Sequence, residues 1–164
     1  FGQKVSVATS NRSNWIVGVE LCQGNPYDGH TLAKAIASVE KNTHVGVTDA
    51  YVDKGYRGHD YDGAADVHLS GSSVRNLTRT KKKRRKRRSA VEPKIGHLKS
   101  DNRMRRCFLK GLAGDAINAI LAAAGSNLQK LLRAIAHALI FWLSDVLSGA
   151  KHLKNSGPMP VAAA

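Results

Sequence analysis

The chain has 164 residues, an apolar fraction of 42% and a formal charge of +14, which is enough apolar material for one folded domain and too much for wholesale disorder. The charge is local: residues 79–110 hold 15 Lys and Arg against two acids, Glu92 and Asp101, while the remainder is nearly neutral. That excludes a uniformly basic surface and points to a polyanion met at one place, most directly nucleic acid.

In chain order, "KVSVATS" and "WIVGVEL" alternate apolar and polar residues around the polar "NRSN", which predicts a β-hairpin. The chain opens on Phe1 rather than Met, already at strand alternation, as expected of a fragment whose beginning is missing. "NPYDGHTLAKAIASVEKNT" predicts a helix with Asp28 as N-cap and Leu32, Ala35, Ile36 and Val39 on one face. "VGVTDAYVD" reads as a short strand that delivers Asp53 to its C-terminal edge, followed by a Gly- and Asp-rich loop, and "DVHLSG" as a weaker strand. The following polar stretch reads as a mobile connection, or as a helix held only by a partner. Two helices, 92–110 and 115–147, are expected to close the fold, the second interrupted at Gly125. This order predicts an α/β domain with a mixed sheet, antiparallel strands continuing into parallel ones through a crossover helix, and C-terminal helices. The expected divisions are 1–78 for strands and first helix, 79–90 for a basic connection, 91–148 for catalytic and packing helices, and 149–164 for a flexible tail.

Leu131, Leu132, Ile135, Leu139, Trp142, Leu143 and Val146 form an apolar stripe at helical spacing, which reads as core or partner surface. The longest run there without Arg, Asp or Lys is 134–144, shorter than the roughly 20 residues a bilayer span needs. Homo-oligomer formation is therefore expected of the stripe, and membrane contact is not. Cys22 and Cys107 stand apart from each other and from any His cluster, so a zinc site is not expected and a reducing interior is the simpler reading.

Two carboxylates stand where metal-dependent phosphoryl chemistry would use them. Asp53 ends a strand beside flexible "KGYRG", and Glu92 heads a helix just after eight cations: Lys81, Lys82, Lys83, Arg84, Arg85, Lys86, Arg87 and Arg88. Paired carboxylates can hold two Mg²⁺ ions about 3.5–4 Å apart. On a continuous helix Arg88, Glu92, Lys99, Arg103 and Arg106 would share one face, a metal ligand flanked by phosphate clamps. Plainer readings stand beside these. Asp53 can be a turn residue, Ser89 and Glu92 fit a capping box, the cation run fits a flexible polyanion-binding segment, and Asp49 is a second acid near the site.

"YVDKGYRG", then "RRSAVEPKIGHLKSDNRMRRCFLKGLAGDAINAILAAAGSNLQKLLR", with "GNPYDGHTLA" upstream, resembles the C-terminal part of DDE transposases of bacterial insertion sequences, in the insertion-sequence-5 group. The resemblance runs from about Phe1 to Leu132. It implies an RNase H-like catalytic domain, N-terminally truncated with its first strand missing, and a cytoplasmic bacterial protein acting on DNA at element ends and targets. It also implies Mg²⁺ or Mn²⁺ held by an Asp, Asp, Glu triad in which Asp53 is the second Asp and Glu92 the Glu. Arg88, Glu92 and Lys99 match the spacing of the family's last signature, whereas its Tyr position holds Arg85. The first triad Asp would precede Phe1, so the chain alone is expected to be inactive. The alternatives are a non-catalytic DNA-binding remnant of such a transposase and a basic RNA-binding protein.

Overall fold

Apolar alternation in the first two segments builds a hairpin. In the computed structural model, which describes residues 3–71 and 78–155, β1 (Lys4–Thr9) and β2 (Ile16–Cys22) pair antiparallel, with Val7 opposite Val19 and a register shift at Ala8/Thr9. The following helix, α1 (Asp28–Thr43), buries Leu32 and Ile36. Its N-cap is Tyr27, with no side-chain cap bond, so Asp28 is the first helical residue and not the expected cap. The Asp28 carboxylate instead pairs with Lys4 and lies against Gly55. A Cβ at position 55 would collide with that carboxylate, which is why the turn after Asp53 needs glycine.

Two further strands, β3 (Asp49–Val52) and β4 (Asp66–Leu69), pair in parallel, with Asp49 opposite Asp66 and Tyr51 opposite His68. Among the described residues the strands form two separate two-stranded sheets, not the single mixed sheet expected. Alternation tells a strand which face to bury, but it is silent on which backbone edge will pair. Each sheet carries its own core. Ile16 packs with Leu98, Ala122 and Ala123, and Leu32 and Ile36 pack with Ala65 over Ala50, Val52 and Val67.

The basic stretch expected as a connection is helical: α2 (Arg79–Arg87) is followed by a 3-10 turn, Arg88–Ala90, and by α3 (Val91–Ser100). Thr78 caps α2, its Oγ1 accepting from the Lys81 amide at 3.3 Å. No capping box forms at Ser89; its hydroxyl donates to the Lys86 carbonyl at 2.8 Å, and Ala90 is the N-cap of α3. Pro93 falls in the first turn of α3, where its missing N–H costs nothing.

The helix expected over 92–110 stops at Ser100. Leu98 is fully buried, and the chain doubles back so that the Met104 amide donates to the Leu98 carbonyl at 3.0 Å, with Arg103 at φ +56°. Burying Leu98 and Met104 in one core therefore ends the helix and takes Arg103 and Arg106 off the face shared with Glu92 and Lys99.

The last helix, α4 (Gly111–Asn155), runs unbroken through Gly125, whose lack of a side chain admits Asn102. The Asn127 side chain bonds both the amide (3.0 Å) and the carbonyl (2.8 Å) of Ile16, occupying the backbone groups that open β2. Residues 149–155 are thus helical rather than part of a tail. The expected connection through 72–77 and tail through 156–164 lie outside the described residues. Two compact units are distinguished, Phe1–Asn127 and Leu128–Ala164.

Candidate functional site

Side chains alternate along β3, so Ala50 and Val52 enter the core beneath α1 while Asp49, Tyr51 and, just past the strand end, Asp53 belong to the other face. Asp66 and His68 extend that face on β4. Lys81, Arg84 and Arg88, spaced three and four apart, share one side of α2 and its continuation. The two sets meet in a ladder. Lys81 Nζ lies 3.4 Å from Asp66 Oδ2 and 3.6 Å from Asp49 Oδ1, Arg84 Nη1 lies 3.2 Å from Asp49 Oδ2, and Arg88 Nη2 donates to Asp53 Oδ2 at 2.9 Å.

At the foot of this ladder Arg88 also places Nη1 3.7 Å from Glu92 Oε1. The two acids singled out in the sequence, 39 positions apart, thus flank one guanidinium. Asp53 Oδ1 accepts from the Gly55 amide at 3.0 Å, which fixes the carboxylate and leaves Oδ2 toward Arg88. The Asp53 and Glu92 side chains are 55% and 70% exposed, against 20% for Arg88. A small hard cation could therefore complete its shell with water. Arg88 thus occupies the position between the two carboxylates, where oxygen donors from β3 and α3 converge on one cationic group.

A second cluster was not singled out from the sequence. Asp49, Asp66 and His68 bring their ligand atoms within 4.8 Å of one another. Asp49, 15% exposed, is bonded by His68 Nε2 at 2.8 Å. This hydrogen bond, then the charges of Lys81, His68 and Arg84, hold its carboxyl below the usual range although burial opposes them. The His68 ring also stacks on Tyr51, with centroids 4.7 Å apart. Burial, then the charge of Asp49, pushes the Tyr51 phenol above its ordinary value. With Lys81 and Arg84 already against its carboxylates, this cluster reads as the clamp that docks α2. Period-two spacing of Asp49, Tyr51 and Asp53 was the signal that could have marked the face.

The basic run therefore divides. Lys81, Arg84 and Arg88 face acids, while Lys82, Lys83, Lys86 and Arg87 are exposed on α2, and Arg85 is half-buried. Lys99, Arg103 and Arg106 are exposed beyond Glu92, and the Arg106 guanidinium sits 5.3 Å over the Phe108 ring. A cleft of about 440 Å³ opens between the hairpin loop, β3 and α2, lined in part by Arg12, Lys83, Arg84 and Arg87.

A family model described as a transposase DDE domain matches residues 48–132, just over half of the chain, from the head of β3 into α4. No curated protein and no solved structure matches the chain.

Proposed function

The chain belongs to the transposase DDE domain family, and from that premise we propose that it serves metal-dependent cleavage and strand transfer of DNA at insertion-sequence ends, with Asp53 and Glu92 as metal ligands. The observation that carries this reading is the single guanidinium held between the two acids. A bound Mg²⁺ would supply Lewis-acid charge to the phosphate oxygens at the scissile bond. The chain's own residues do the rest. Asp53 is held by its amide bond to Gly55, Glu92 is offered from the first turn of α3, and Arg88 presents a planar fork that suits carboxylate or phosphate equally. Lys99 and the outward cations of α2 are the groups available to hold the DNA backbone.

The finer assignment is an RNase H-like domain of a bacterial cytoplasmic transposase in the insertion-sequence-5 group, with a third acid on a further strand. Among the described residues β1 and β3 each pair along one edge only, which leaves room for a further strand. On this reading the chain alone binds DNA and does not cut it. A non-catalytic DNA-binding remnant, in which Arg88 simply remains the ion-pair partner of Asp53, shares that behaviour.

Metal binding separates the two. With Mn²⁺ followed by electron paramagnetic resonance, Asp53→Asn and Glu92→Gln are each expected to weaken binding, whereas Arg88→Gln, which removes a competing cation, strengthens it about tenfold. Loss of Mn²⁺ binding in Asp49→Asn but not in Asp53→Asn would move the metal to the Asp49, Asp66, His68 cluster. Metal-dependent nicking of plasmid DNA by this chain would remove the need for a third acid.

A further inference from the structure

The segment "NPYDGH" at the head of α1 takes no part in the chemistry above, yet it grips the loop that follows Asp53. Three successive residues reach that loop at alternate positions. The Tyr27 hydroxyl donates to the Arg57 carbonyl, one Asp28 carboxylate oxygen lies against Gly55, and Gly29 comes so close to His59 that a Cβ there would stand 3.0 Å from the His59 Cα. Within the loop the amides of Tyr56, Arg57 and His59 donate to the carbonyls of Asp53, Lys54 and Tyr56 at 3.3, 3.1 and 3.1 Å. Tyr56 itself packs against the core of Leu32 and Ile36.

Asp28 is held in turn. Its other oxygen pairs with Lys4 of β1, whose Nζ also donates to the Pro26 carbonyl at 2.7 Å. A short side chain tied at one oxygen cannot swing away from Gly55 without breaking that pair. Gly55 therefore lies between two carboxylates. Its amide donates to Asp53 Oδ1 at 3.0 Å, and the side of its Cα where a side chain would stand faces Asp28 Oδ2.

We infer that Asp28 is a positioning residue for Asp53, acting through Gly55. It fixes the peptide whose N–H holds one Asp53 oxygen and so leaves the other toward Arg88. The effect on metal binding rests on the proposed function; the positioning of the carboxylate does not. Gly55 is not among the glycines at positive φ, so a side chain there meets no backbone strain. Beyond its chain neighbours, the three atoms nearest to a Cβ at position 55 all belong to Asp28. Gly55→Ala alone would drive a methyl into the Asp28 carboxylate. With Asp28→Ala added, the two methyl carbons would meet at 3.9 Å, an ordinary contact.

That reciprocity is the test, made on the complete chain. Carbon-13 NMR of the Asp53 carboxyl senses its bond from the residue-55 amide, and Mn²⁺ titration followed by electron paramagnetic resonance reads the site. Gly55→Ala should move the carboxyl resonance and weaken Mn²⁺ about tenfold, and Asp28→Ala about threefold, whereas independent effects would multiply to about thirtyfold in the double variant. The double variant should instead return the resonance toward its wild-type position and bind Mn²⁺ no worse than Asp28→Ala alone. Ile36→Val, which trims the core beneath the same helix, should lower Tm and move neither signal. Asp28→Ala that lowers Tm but leaves the Asp53 resonance in place would reduce Asp28 to a helix-end acid and overturn the inference, as would multiplied losses in the double variant. Mn²⁺ binding that is indifferent to Asp53 would remove the proposed metal role, and the carboxyl resonance would still decide the positioning.

Discussion

Replacing Lys82, Lys83, Lys86 and Arg87 together by Gln is expected to weaken binding of a short DNA duplex about a thousandfold at roughly 0.1 M salt. These four side chains are exposed on α2, Lys83 and Arg87 toward the cleft beside Asp49. Each phosphate contact on duplex DNA contributes about 0.9 to the slope of log affinity against log salt, so losing four should flatten that slope by about 3.6. Arg84→Gln is the control. Arg84 already faces Asp49, so its loss should leave the salt slope nearly unchanged and appear as lost stability. Fluorescence anisotropy across a salt series reads both, and equal slope changes from inward and outward cations would show that the division of the run is wrong.

Asp49→Asn should produce the largest loss of stability among the acids, about 2 kcal/mol or a fall in Tm of roughly 4–8 °C. The side chain is 15% exposed and meets His68, Lys81 and Arg84, so neutralising it leaves three groups without their shared counter-charge. Asp53→Asn, at a carboxylate that is 55% exposed, should cost under about 1 kcal/mol. The acid limb carries the sign. Because the Asp49 carboxyl is held below its ordinary value in the folded chain, its contribution is complete above the unfolded value of about 3.9 and is lost as pH falls through the lower, folded value. Asp49→Asn should therefore be less stable near neutrality and should lose less stability on acidification below about pH 4. Thermal unfolding followed by circular dichroism between about pH 3 and 7 measures the difference, and a parallel offset at every pH would refute the linkage.

Like charges four apart destabilise a helix, and α2 carries almost nothing but cations. It forms because Thr78 caps it and because Asp66, Asp49 and Asp53 receive one side of it. The sequence holds both halves of that fit, period two in Asp49, Tyr51 and Asp53 and the three-and-four spacing in Lys81, Arg84 and Arg88. Nothing local says that one meets the other across some 35 positions.

The same boundary runs through the rest of the molecule. Alternation determined the hairpin, apolar spacing determined α1, and the run "DAYVD" ended a strand just before Asp53, because each depends on neighbours within a few residues. The apolar stripe from Leu131 to Val146 was likewise written in the chain. Only the tertiary structure decided that α3 ends at Ser100 so that Leu98 and Met104 share a core, that the strands divide into two sheets, and that Arg88 lies between Asp53 and Glu92. Those outcomes turn on desolvation and pairing between distant segments, and a one-dimensional pattern fixes which faces are apolar or charged without fixing which of them meet.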